Sequence, residues 1–122
     1  MVVEDEFLLL FTMVDALEAA GLSVIQASSA EEAIELLEGE LHVDVLVTDI
    51  RLGGEISGWD LAEIFQRSRP DGGVIYASAN APLSERQVPG SLFFAKPAPV
   101  EDVVANCQRL HGERRTRGCG AS

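Results

Sequence analysis

The chain has 122 residues, enough for one domain that buries a real core. Hydrophobic residues make up 47% of it and the formal net charge is −11, which argues against a disordered chain and against direct binding of nucleic acid phosphates. The longest apolar run, Phe7 to Val14, is broken by Thr12, is too short to span a bilayer and follows no basic segment, so neither membrane span nor signal peptide is expected and a cytoplasmic protein is the default.

In chain order, Met1–Val3 reads as a short first strand. Phe7–Ala20 reads as a helix stopped by Gly21, where a left-handed cap is wanted. Leu22–Gln26 reads as a second strand. Ser29 then caps a helix over Ala30–Glu38, with Glu32 three residues on as in a capping box, and Gly39 ends it. Val43–Thr48 has the apolar make-up of a central strand covered on both faces. After the loop DIRLGGEIS, residues Gly58–Arg67 form the next helix, with Trp59 as packing. Gly73–Ala77 is a fourth strand. In ANAPLSERQVPG, Pro82 and Pro89 leave room for a turn or two of helix at most. Leu92–Ala95 is the fifth strand, and Pro99–Leu110 the last helix, with proline in its first turn.

This alternation describes an α/β protein: a five-stranded parallel sheet with helices on both faces. The domain spans residues 1–111. Residues 112–122 read as a flexible basic tail, since 1–108 carry nineteen Asp and Glu against five Lys and Arg whereas the end is arginine-rich. Cys107 and Cys119 make no disulfide framework, CxxC pair or zinc site. His42 and His111 stand alone in the sequence and read as neither phosphohistidines nor metal ligands, and Asp44 reads as a surface residue.

Right-handed crossovers place every strand C-terminus on one edge of such a sheet, where ligands bind. Strand one ends in Glu4 and Asp5, strand three in Asp49 and strand four at Ser78, while strand five runs into Lys96. Clustered carboxylates repel unless a cation joins them. Mg²⁺, or Mn²⁺ in its place, suits a few carboxylate oxygens with the remaining positions left to water and phosphate. Asp49 can then act as a nucleophile on phosphorus, with Ser78 and Lys96 sharing the charge of the transferring group. Lys96, the only lysine, is a compact point charge suited to one phosphoryl oxygen.

Four segments, VVEDE, VLVTDIRL, VIYASA and FFAKP in that order and at these spacings, resemble the receiver domain of two-component response regulators over residues 1 to about 111. The resemblance implies a flavodoxin-like sheet of order 2-1-3-4-5. It matches Asp49 to the phospho-acceptor, and Glu4, Asp5 and the Arg51 backbone carbonyl to the metal ligands. It matches Ser78 to the switch hydroxyl, Phe93 to the switch aromatic and Lys96 to the family's lysine, with a cis bond to Pro97. It also implies a phosphoryl donor, a histidine kinase or histidine phosphotransfer protein.

The first helix has two apolar stripes. Leu9, Met13, Ala16, Leu17 and Ala20 are expected to face the sheet. Phe7, Leu10, Phe11 and Val14 form a second, expected to contact a partner protein or a second copy of the chain in a homodimer.

The leading expectation is a stand-alone receiver, an aspartyl phosphoprotein in a phosphorelay that passes its signal to a downstream protein by contact or by onward phosphotransfer. It is not expected to be a turnover enzyme. EDEFLLL lacks the glycines of a dinucleotide turn, and Asp49-Ile50-Arg51 lacks a second carboxylate for acid–base work. The alternative is a pseudo-receiver, an interaction module that is never phosphorylated.

Overall fold

The computed structural model describes residues 1–39, 41–79 and 85–120. The elements run β1 (Val2–Val3), α1 (Phe7–Ala19), β2 (Gln26–Ala27), α2 (Ala30–Glu38), β3 (Val45–Thr48), α3 (Gly58–Ser68), β4 (Gly73–Ser78), β5 (Leu92–Ala95) and α4 (Val100–Gly120). The strands form one parallel sheet of order β2-β1-β3-β4-β5.

Strand alternation divides the core between the two faces of this sheet. Leu46, Val74 and Tyr76 point toward α2 and α3, where they meet Ala33, Leu61 and Phe65. Val45, Val47 and Ile75 point the other way, against Leu10 and Leu17 of α1 and Val103 and Cys107 of α4. β3 and β4 are buried almost throughout, as their unbroken apolar runs require.

Local signals place most of the helix ends. Gly21, at φ +92°, closes α1: its N–H donates to the Glu18 carbonyl and the Leu22 N–H to the Leu17 carbonyl, a pair of bonds that needs a left-handed residue between them. Ser29 Oγ accepts the Glu32 N–H at 3.0 Å, although Glu32 returns its carboxylate to the Ser28 N–H and not to Ser29. The reciprocal box appears instead at α3, between Ser57 and Asp60.

Several boundaries differ from the sequence reading. β2 is two residues at 26–27, not Leu22–Gln26, because Leu22 and Val24 pack on the α1 side and the segment joins the ladder only near its end; the Val2 N–H reaches the Ile25 carbonyl at 2.8 Å. The last helix continues to Gly120, past the Leu110 at which the apolar period stops. A helix backbone can extend beyond its apolar stripe as long as it meets no proline, and none follows Pro99. Four helices are present among the described residues. The predicted turn or two of helix in ANAPLSERQVPG falls largely on residues 80–84, outside them, and residues 85–90 form turns.

α1 brings a correction. The stripe facing the sheet is Leu10, Met13, Val14 and Leu17, at i, i+3, i+4 and i+7, so Leu10 belongs to the core and Val14 packs against it. Leu9, expected inside, is exposed together with Phe7, Leu8 and Phe11. Apolar residues cover so much of this helix that its sequence leaves two stripes to choose from. The sheet selects the one about a residue away from the stripe predicted.

Candidate functional site at the strand ends

The four C-terminal strand ends form one rim. Val3 stands beside Thr48, Thr48 beside Tyr76 and Ser78 beside Ala95, so the residues next along, Glu4, Asp49 and Lys96, converge with Ser78. The backbone extends the sheet into this rim: the Glu4 N–H donates to the Ala27 carbonyl, the Asp49 N–H to the Val3 carbonyl and the Lys96 N–H to the Ser78 carbonyl.

Lys96 Nζ donates to Glu4 Oε1 at 2.5 Å and to Asp49 Oδ2 at 2.8 Å. The remaining oxygens are held as well, Glu4 Oε2 by the Glu6 N–H at 3.2 Å and Asp49 Oδ1 by the Ile50 N–H at 2.6 Å. Glu6 thus serves as the N-cap residue of α1 while its amide orients Glu4. Glu4 is 7% exposed, and burial pushes its carboxyl above the usual range, with the Lys96 hydrogen bond offsetting part of the effect. Burial pulls Lys96 down, but its bonds to Asp49 and Glu4 outweigh this and leave its pKa raised. The ammonium is therefore charged at neutral pH and holds the two acids together.

Asp5 is exposed beside them, and carboxylate oxygens of Glu4, Asp5 and Asp49 lie within 4.8 Å of one another. Such a set of hard oxygens fits Mg²⁺ by donor chemistry. Arg51 lies in the loop after Asp49, its side chain exposed between buried Ile50 and Leu52. Ser78 is 1% exposed at the end of β4. Phe93 is half-buried, its ring 6.4 Å from both Trp59 and Tyr76, and Trp59 lies 4.7 Å from Tyr76. Trp59 is buried packing, as the sequence suggested. The Lys96–Pro97 bond is cis.

Sequence reasoning did not find Gly58. Its N–H donates to the Ile50 carbonyl at 2.7 Å, and a Cβ on it would lie 2.0 Å from the Asp49 carbonyl oxygen. The first residue of α3 is thus pressed onto the backbone of Asp49, an approach that only glycine allows. The one local hint was a glycine at the first position of a helix, where other residues are at least as common.

A family model, the response regulator receiver domain, matches residues 1–106. The chain belongs to the response regulator receiver family. Solved structures agree. A response regulator receiver protein from Sinorhizobium medicae is 31% identical, with a TM-score of 0.85 over 89% of this chain and 90% of that one. A receiver domain protein from Clostridium thermocellum shares 24% identity and a CheY-like receiver from Methanospirillum hungatei 22%, with TM-scores of 0.79 and 0.80 and 94% of each chain covered. These last two show the shared fold. No curated protein matches the chain.

Receivers accept phosphoryl groups in two-component signalling, interact with histidine kinases or phosphotransfer proteins and generally bind Mg²⁺ in an acidic pocket; they are generally not turnover enzymes. The acidic cluster of this receiver is Glu4, Asp5 and Asp49. No helix among the described residues is long and apolar enough to cross a membrane.

Proposed function

We propose that this protein works as a stand-alone cytoplasmic receiver in a Mg²⁺-dependent phosphorelay, with Asp49 as the acceptor. The observation that carries the reading is the double grip of the single lysine on Glu4 and Asp49 at the ends of three different strands. A carboxylate oxygen of Asp49 attacks the phosphorus of a donor phosphohistidine. An O–P bond forms, the N–P bond breaks, and its electron pair leaves on the imidazole nitrogen. Glu4, Asp5, Asp49 and the Arg51 carbonyl would hold Mg²⁺, which when bound neutralises charge on the acidic rim and the phosphoryl oxygens. Lys96 contributes a fixed ammonium to those oxygens, and the Ile50 N–H keeps one Asp49 oxygen oriented. Ser78 and Phe93 then carry the switch, a shift of the hydroxyl and of the aromatic ring that alters the surface shown to a downstream protein.

Intact-mass spectrometry after incubation with acetyl phosphate tests this. A single Mg²⁺-dependent phosphoryl adduct is expected on the wild type and none on Asp49→Asn. No adduct on the wild type under any condition would overturn the reading in favour of the pseudo-receiver.

Docking of the phosphoryl donor is assigned to the exposed half of α1. Phe7 and Phe11 stack 6.3 Å apart, 74% and 59% exposed, with Leu8 beside them. Exposed Asp5, Glu6 and Asp15 border this patch, so a partner surface of apolar and basic residues complements it. Phe11→Glu is expected to slow phosphotransfer from a donor protein about tenfold or more, as loss of one interface anchor does. Labelling by acetyl phosphate should be unchanged. Equal transfer rates from the donor protein would remove α1 as the docking surface.

A further inference from the structure

The face of the sheet that carries α1 and α4 holds a cavity at each end. In the one away from the rim, polar side chains engage one another: His42 and His111 each set Nε2 against an oxygen of Asp44, at 2.9 and 3.4 Å. The cavity at the rim differs. Its volume of about 380 Å³ falls within the range of about 300–1,000 Å³ typical of small-ligand pockets. Val47 and Ala77 line it from the sheet, Leu9 and Met13 from α1, and Pro97 and Val100 from the other side. Glu4, Asp49 and Lys96 stand together at its polar end. Ala77 and Ala98 present single methyl groups where larger side chains would fill the space. Pro97 and Pro99 fix φ on both sides of Ala98 and so hold that wall in place. Leu9 is 40% exposed and joins neither half of the core, which leaves its apolar surface to an occupant. Water finds few partners against such a lining, and apolar cavities take apolar ligands instead.

We propose that this cavity binds a small amphipathic amine, its apolar body between α1 and segment 97–100 and its ammonium at the rim. Charge decides the head group. Glu4 and Asp49 set two carboxylates against the one ammonium of Lys96, and exposed Asp5 adds a third carboxylate beside them. An anionic head is repelled there and a cationic one attracted. Acceptor capacity remains for it. Each carboxylate offers about four lone-pair sites. On Glu4 the Lys96 ammonium and the Glu6 N–H take one each, and on Asp49 the Lys96 ammonium and the Ile50 N–H do the same. The apolar body supplies affinity by leaving water for Leu9, Met13 and Val100, and the rim selects among molecules of similar shape.

Amide NMR during titration of the metal-free full chain with 2-phenylethylamine, 2-phenylethanol and phenylacetate reads both the place and the head group. Shifts are expected first at residues 9–13, 77 and 98–100. The amine should bind about tenfold or more tightly than phenylacetate, with the alcohol between them. Thr12 is exposed on α1 and lines the cavity, so Thr12→Phe fills the space from its edge and leaves the core untouched. Ala98→Leu fills it from the opposite wall. Each should weaken amine binding by about tenfold or more, as overpacking a site does. Unchanged amine affinity in both variants would overturn the site, as would the lack of saturable binding or shifts confined to Phe7, Leu8 and Phe11. Equal affinity for the amine and phenylacetate would overturn the choice of ligand class. None of these results bears on phosphoryl acceptance at Asp49, which the mass adduct reads separately.

Discussion

Gly58→Ala is expected to destabilise the protein by about 2–3 kcal/mol, the range for forcing atoms into a packed site, and to suppress phosphoryl acceptance at Asp49. The added methyl would meet the Asp49 carbonyl oxygen at 2.0 Å and the Ile50 Cα at 2.8 Å, both backbone atoms that no rotamer change can move. Relief has to come from shifting α3 or the backbone at 49–50, and either movement disturbs the Ile50 N–H that holds Asp49 Oδ1. Urea denaturation measures the first effect and acetyl phosphate labelling the second. Gly112→Ala is the control. Nothing lies within 4 Å of its added Cβ, and alanine within a helix should gain up to about 1 kcal/mol over glycine. If the two substitutions had similar effects, the tight contact at Asp49 would be refuted.

Lys96→Met should have a comparable effect by a different route. It removes the cation that bridges Glu4 and Asp49 and leaves three neighbouring carboxylates without it. Breaking a buried pair costs about 3–5 kcal/mol, and the partial exposure of this rim reduces the expectation to about 2 kcal/mol at pH 7 without divalent ions. Phosphoryl acceptance should fall by about a hundredfold, as when one preorganised donor to a transferring group is lost.

The pH dependence distinguishes this cause from lost packing. Burial already raises the Glu4 carboxyl above its ordinary value of 4.5, and without the ammonium it rises further. A carboxyl raised in the folded state contributes stability that is fully present below its unfolded pKa and is lost as pH rises through the folded one. The gap between variant and wild type is therefore smallest near pH 4 and widest at pH 7. Added Mg²⁺ should narrow it at pH 7 by mass action on the folded state, without restoring the transfer rate. A gap of equal size at both pH values would mean that Lys96 acts through packing and not through charge.

Much of the rim was legible because parallel α/β topology turns a linear reading into a spatial one. Once the strands ending before Glu4, Asp49 and Lys96 are recognised, right-handed crossovers bring those ends to one edge without further information. The cap at Ser29, the stop at Gly21 and the alternation of elements were readable for a similar reason, since each depends on residues within one turn. The orientation of α1 was not. Phe7 to Phe11 is apolar at every position, so periodicity could not choose between Leu10 and Leu9 as the residue facing the sheet, and packing against Val2 and Val103 made the choice. Nor could the sequence show how far α4 extends, because its apolar pattern ends ten residues before its backbone does.

By itself, then, the sequence determined the parallel sheet, its family and the acidic rim with its lysine, because these follow from local patterns and from one chirality rule. Only the tertiary structure decided which residues grip one another across the chain: Lys96 on Glu4 and Asp49, Gly58 against the Asp49 carbonyl, and His42 and His111 on Asp44. Those contacts join residues far apart in the chain, and their geometry depends on how the helices pack on the sheet. No local propensity or spacing encodes that distance.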